Sequence, residues 1–161
     1  MAYEMKVEGM SELTDLLDRM ESRAPTVANK ALYQGAGVMS DAIVQGAKSI
    51  RTAPFKFARE GNERLPSPEE KAIVVEAGAG IAKFDRNGTE SQTSVGFSNS
   101  GYAELKGRRV PVPLIANAIN SGTSFMRKQP FVRKAATRGG KKAVETMISV
   151  IETEFNEMQK T

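Results

Sequence analysis

The segment from Ile119 to Ala136 constrains the fold of this chain more than any other. It reads Ile-Asn-Ser-Gly-Thr-Ser-Phe-Met-Arg-Lys-Gln-Pro-Phe-Val-Arg-Lys-Ala-Ala. Its grammar is a strand ending in Ser121-Gly122-Thr123, a short basic turn, and Pro130 opening a long helix. Proline suits a first helical position, because its fixed φ is already helical and its missing N–H would be unpaired there. Phe131, Val132, Ala135 and Ala136 begin the apolar stripe that pins the helix to a core. Nothing in the segment is catalytic; it reads as a docking joint.

The remainder of that helix runs to about Met158, with Ala143, Val144, Met147, Ile148, Ile151 and Phe155 continuing the stripe. Gly139-Gly140 is its expected weak point, where a kink is most readily placed. Its charge order is unusual. Arg127, Lys128, Arg133, Lys134, Arg138, Lys141 and Lys142 fall in one stretch without an acid, and Glu145, Glu152, Glu154 and Glu157 follow. A helix basic at its start and acidic at its end opposes the macrodipole. A partner surface is one reason for such an order, and a solvated face with no partner is the other.

Upstream, Tyr3 to Val7 alternates like a short strand and Gly9 ends it. Ser11 is placed to cap a helix carrying Leu13, Leu16, Leu17 and Met20, and Pro25 to open a second helix of roughly six turns. Gly35, Ala36 and Gly46 on that second helix permit close approach by a strand, a neighbouring subunit or the rest of the same core. Residues 50–71 lose all periodicity. So long a loop is usually functional or disordered, and Phe55 and Phe57 flanking Lys56 suit an arm that orders on a partner as well as they suit simple flexibility.

Ala72 to Ala77, with Val74 and Val75, reads as a strand. Ile81–Phe84 and Thr93–Phe97 flank Asp85-Arg86-Asn87-Gly88, a hairpin signal with its tip near 85–90. Val110 to Ile119 reads as a further strand, held to an edge or bulge by Pro111 and Pro113. The expected class is α+β: a small antiparallel sheet with two N-terminal helices and one long C-terminal helix packed on one face. A length of 161 residues implies a single domain, 1–161.

Composition narrows the chemistry. The chain has no cysteine and no histidine, which removes thiol nucleophiles, disulfides, thiolate zinc sites and imidazole bases. Gly78-Ala79-Gly80 lacks the third glycine and the crossover helix of a dinucleotide site. No phosphate loop, carboxylate metal cluster or strained nucleophile turn is evident, and Glu69-Glu70 and Glu8/Glu12 read as solvated charges. The expectation is no enzyme, no cofactor and no metal. No apolar run reaches the roughly 20 residues of a membrane span, and the N-terminus lacks the apolar centre of a signal peptide. A soluble domain made inside the cell is expected.

Three places resemble the neck proteins of long-tailed double-stranded-DNA bacteriophages and prophages, the head–tail joining, tail-completion or minor tail components. The first is Val7-Glu8-Gly9-Met10-Ser11-Glu12-Leu13 with Leu16 and Leu17. The second is Lys30-Ala31-Leu32 with Gly35-Ala36, closing at Ala53-Pro54. The third and most telling is Gly122-Thr123, a spacer, then Gln129-Pro130-Phe131-Val132-Arg133 and Ala135. Asn120 and Ser121 stand where the family usually carries an acid and an aromatic.

The resemblance implies a virion protein, made in the bacterial host cytoplasm, that forms a homo-oligomeric ring around the DNA channel and completes the tail for joining to the head. Six copies would match the tail and twelve the portal, six being favoured. Its partners would be the head connector or adaptor and the tail-tube or tail-terminator proteins, with non-specific contact to DNA in the lumen. Arg127, Lys128, Arg133 and Lys134 are the candidates for contact with an acidic neighbouring ring, and Phe55 and Phe57 for anchors. Gly9, Gly122, Thr123, Pro130 and Phe131 are the structural motif. The alternative is a nucleic-acid-binding accessory protein using the basic start of the last helix without sequence preference.

Overall fold

The computed structural model describes residues 10–57, 61–87, 90–98 and 100–160. The strand expected at Tyr3–Val7, its end at Gly9 and the hairpin tip at Gly88 lie outside them. Two long helices dominate: α1, Met10–Lys48, of 39 residues, and α4, Phe131–Gln159, of 29. They run antiparallel. Lys30 pairs with Glu154, Gly35 meets Met147, Gly139 meets Ala42, and Gly46 meets Phe131 and Ala135.

α1 is one helix, not the expected two, with Pro25 inside it. Proline deletes one backbone bond and opposes the carbonyl four residues back. That residue, Glu21, lies on an exposed stretch, where water can satisfy the freed carbonyl, and the helix formers Leu, Met, Glu and Arg on the near side sustain the turn. Among the described side chains of α1, full burial begins at Val27 and recurs at Ala31, Ala36, Ile43 and Ala47. The glycines at its interface serve the chain's own core. A Cβ on Gly46 would stand 3.0 Å from the Phe131 carbonyl oxygen, so the helices approach more closely than an alanine would allow.

Two segments expected as strands are helical. α2 spans Pro68–Ala77 and takes in the expected strand Ala72–Ala77. Its start is a reciprocal cap: the Ser67 hydroxyl accepts from the Glu70 N–H at 3.2 Å, and a Glu70 carboxylate oxygen accepts from the Ser67 N–H at 2.7 Å. Ser-Pro-Glu-Glu is the sequence form of that box, with proline in its favoured first turn. α3 spans Val112–Ser121 and takes in most of the expected strand Val110–Ile119. Val112, Ile115, Ala116 and Ile119 are all buried, and their three- and four-residue spacing is helical. In both cases tertiary burial of one face overrides the β-preference of Val and Ile.

The strands form no single sheet. Three antiparallel pairs occur among the described residues: β1 (Gly80–Ile81) with β4 (Val95–Gly96), β2 (Asp85–Asn87) with β3 (Glu90–Gln92), and β5 (Tyr102–Leu105) with β6 (Arg108–Pro111). The first two pairs are stacked along one hairpin, since the Ala82 N–H donates to the Ser94 carbonyl between them at 2.7 Å. This is the hairpin expected around Asn87-Gly88. The β5–β6 hairpin turns on Lys106 and Gly107 at φ of 52° and 72°, the left-handed pair that a two-residue primed turn demands.

The core is gathered at one end of the helix pair. Ile43, Ala47 and Ile50 from the end of α1 meet Val74, Phe97, Ile115, Ile119, Met126 and Phe131 there. The Phe97 and Phe131 rings pack edge to face at 5.9 Å. The expected helix bundle on one sheet face is thus replaced by four helices converging on this cluster. Among the described residues, no helix is long and apolar enough to cross a membrane.

Candidate partner-binding surface

The segment Gly122–Pro130 links α3 to α4 and organises the surface around it. Gly122 closes α3 at φ 78°, donating its N–H to the Ala118 carbonyl at 2.9 Å. A side chain here is excluded twice, by the left-handed backbone and by Lys128, whose Cβ would sit 3.0 Å away. Thr123 then holds a tight turn, its hydroxyl accepting from the Phe125 and Met126 N–H groups at 3.2 and 3.0 Å. Pro130 precedes α4 without capping it. Asn120 does that, its side-chain oxygen accepting from the Val132 N–H at 3.2 Å.

The long loop is laced to this turn. Arg51 donates its N–H to the Gln129 side-chain oxygen at 2.9 Å and accepts from the Gln129 amide nitrogen at 2.9 Å. Further along, the Arg64 N–H donates to the Phe125 carbonyl at 2.8 Å, and the Arg127 N–H donates to the Arg64 carbonyl at 2.9 Å. The Ala53 N–H donates to the Pro66 carbonyl at 3.0 Å, drawing the two limbs of the loop together. Residues 50–57 and 61–67 are therefore hydrogen-bonded at both limbs, not a free arm.

A part-buried ion pair anchors the loop to α2. Arg64 grips Glu70 with both guanidinium nitrogens, at 2.7 and 2.6 Å. Burial alone would push the Glu70 carboxyl up. The Arg64 hydrogen bonds, the Ser67 N–H and the guanidinium charge outweigh it and hold the carboxyl below its ordinary value.

Phe55 is a meeting point for cations. The Lys106 ammonium sits over its ring, the Arg64 guanidinium lies 4.9 Å from its centre, and Phe57 packs edge-on at 5.3 Å. Contacts of this kind are worth about 0.5–1 kcal/mol at exposed sites. Lys106 makes its contact from a positive-φ position, a conformation unusual for a side-chain-bearing residue. Phe57 is 92% exposed, and Phe125 on the facing turn is more than half exposed. Arg51, Lys56, Arg127 and Lys128 are exposed on the laced segments and Lys106 on the β5–β6 hairpin beside Phe55; among the described residues the exposed acids nearby are Glu63 on the loop, Glu69 on α2 and Glu104 on that hairpin.

Of the residues singled out from sequence, Phe55, Phe57, Arg127 and Lys128 thus share one surface. Arg133 and Lys134 are exposed on the first turn of α4 but, as neighbours in a helix, lie about 100° apart around it. Lys134 borders a groove between α1 and α4 with Arg138. Gly9 lies outside the described residues. Phe131, expected to begin the core stripe, is buried.

Sequence reasoning missed two apolar features. Val144, Ile148 and Ile151, read as core, are each about half exposed. They form a second stripe beside the buried one of Ala135, Gly139, Ala143 and Met158. An open groove of about 590 Å³ is lined by Phe97, Pro111, Pro113, Leu114, Ala116 and Val132 among others. The run Val110–Ile119, once read as a helix with Pro111 and Pro113 before it, would have signalled this groove. Among the described residues, no group of three or more acids, histidines or cysteines is placed to hold a metal ion. No protein-family model, curated protein or solved structure matches this chain.

Proposed function

We propose that this chain is a structural subunit of a phage neck, completing the tail and joining it to the head by binding alone. The observation that carries the reading is the laced platform: a loop and a turn, pinned by Gln129 and Arg64, presenting Phe57 and Phe125 among exposed cations. Exposed aromatics and arginine are the usual energetic anchors of protein interfaces, and the surrounding positive charge suits an acidic neighbour. The resemblance of Gly122-Thr123 and Gln129-Pro130-Phe131-Val132-Arg133 to neck proteins supports the same reading, with a ring of six copies as the favoured assembly and the head connector and tail components as its partners.

The direct test is to disable the gene in the phage or prophage that carries it and to image the lysate by negative-stain electron microscopy. Filled heads and separate tails, with few joined particles, support the joining role. Normal joined and infectious particles overturn it. A second reading rests on Lys134, Arg138 and Lys141, which recur at helical spacing on an exposed face of α4 and suit a phosphate backbone. It predicts DNA binding that falls by about 10³-fold over a fourfold rise in salt for six or more contacts.

A further inference from the structure

The half-exposed stripe on α4 and the groove beside α3 answer one another in shape and charge. The stripe is a ridge: Val144, Ile148 and Ile151 stand at four- and three-residue steps on one side of the helix. Large aliphatic side chains left half bare in a row are uncommon on a surface that meets only water. Exposed Glu145 and Glu152 stand beside Ile148 along one side of the ridge, Glu145 paired with Lys141 at 3.8 Å. The groove is concave and apolar, with Leu114 on its wall 60% exposed. Its lining is uncharged, and arginines stand next to it in sequence: exposed Arg133 follows the lining residue Val132, and exposed Arg109, over the Tyr102 ring, lies two residues before the lining residue Pro111.

Their placement excludes contact within one chain. Val132 and Ile148 are separated by about 24 Å along α4 and by roughly 160° around it. The ridge therefore lies on the far side of α4 from the groove's Val132 wall. A surface that fits a different surface of an identical chain makes a heterologous contact, which closes into a ring or continues as a filament.

We infer that the ridge Val144–Ile148–Ile151 of one copy, acidic along one side, seats in the groove beside Leu114 of a second copy, head to tail. This rests on the reading of the chain as an assembly subunit and names the faces that would join. It also accounts for the charge order of α4. A helix basic at its start and acidic at its end opposes its own dipole, but it offers each neighbour a charge opposite to the one it receives. Complementary charges of this kind set register and suppress the alternative pairings.

The absence of cysteine from the chain makes the test clean. Ile148→Cys and Leu114→Cys are made singly, both at half-exposed positions that tolerate a smaller side chain, and treated with a short bismaleimide. An equimolar mixture of the two variants is expected to give at least about tenfold more cross-linked dimer than either alone, and the double variant a ladder beyond two copies. Dimer from Ile148→Cys alone would mean that ridges pair with ridges and would overturn the inference. So would a mixture that gives no cross-link at the concentration of assembly. If that mixture fails while gene disruption still leaves unjoined heads and tails, the head-to-tail contact falls and the joining role stands.

Discussion

A Cβ on Gly139 would lie 2.8 Å from the Cβ of Ala42, so the two long helices touch where one of them has no side chain. The neighbouring Gly140 faces open space. Gly139→Ala should therefore destabilise the fold, since overpacking costs about 1–3 kcal/mol against roughly 1 kcal/mol gained in helix propensity. Gly140→Ala should stabilise it by up to about 1 kcal/mol. Urea denaturation of the two variants reads the opposite signs directly.

The Arg64–Glu70 pair predicts a pH dependence. The carboxyl of Glu70 is held below the ordinary glutamate value of 4.5 in the folded chain. Its contribution to stability is complete above that value and is lost as pH falls through the depressed folded value. Glu70→Gln leaves the part-buried Arg64 charge without its counter-ion and should cost about 1–3 kcal/mol at neutral pH. Thermal melts taken from neutral pH downward should show a steep loss below 4.5 in the parent chain and a shallower one in the variant.

Gln129→Ala removes both side-chain bonds to Arg51. Each is worth about 1 kcal/mol, so the loss should be roughly 1–2 kcal/mol. The sharper readout is local: hydrogen exchange at the Arg51 amide should accelerate while amides in the centre of α4 keep their protection.

Phe57→Ser should leave the thermal midpoint unchanged, because the ring is 92% exposed. On the proposed function it should lower the yield of joined particles by about tenfold, as loss of an interface anchor does. Arg127→Glu with Lys128→Glu should act likewise, with the effect growing as salt is lowered. A stable Phe57→Ser variant that joins heads to tails at full yield removes the platform from the interface.

The parts legible in the sequence are those whose signals are local. α4 follows from Pro130 and its stripe, the 80–96 hairpin from Asn87-Gly88, and the turn at Gly122 from its glycine. α2 and α3 were obscured because Val74, Val75, Val112 and Ile115 favour strands in isolation, whereas the cap at Ser67 and the burial of one face decide for helix. The β5–β6 turn was missed because Lys106 takes a left-handed conformation usually left to asparagine or glycine. On the candidate surface, Phe55, Phe57, Arg127 and Lys128 could be proposed from residue type, but their union depends on Gln129 and Arg64. The ridge was illegible for a different reason. Periodicity reveals that α4 has two adjacent apolar stripes' worth of residues, and only α1 determines which of them is covered.

The position of Pro25 has a mechanical consequence. The contacts between Lys30 and Glu154 and between Ala42 and Gly139 set a register that brings Pro25 level with the last turn of α4 near Gln159. The stretch from Met10 to Pro25 then extends past the last turn of α4, and a helix of about 15 residues is marginal in water by itself. The missing N–H of the proline makes its root the weakest rung of the ladder. The stretch before Pro25 should therefore open at a lower free energy than the body of α1, which hydrogen exchange would read as weaker protection. The proline marks the place where the load-carrying part of the helix begins.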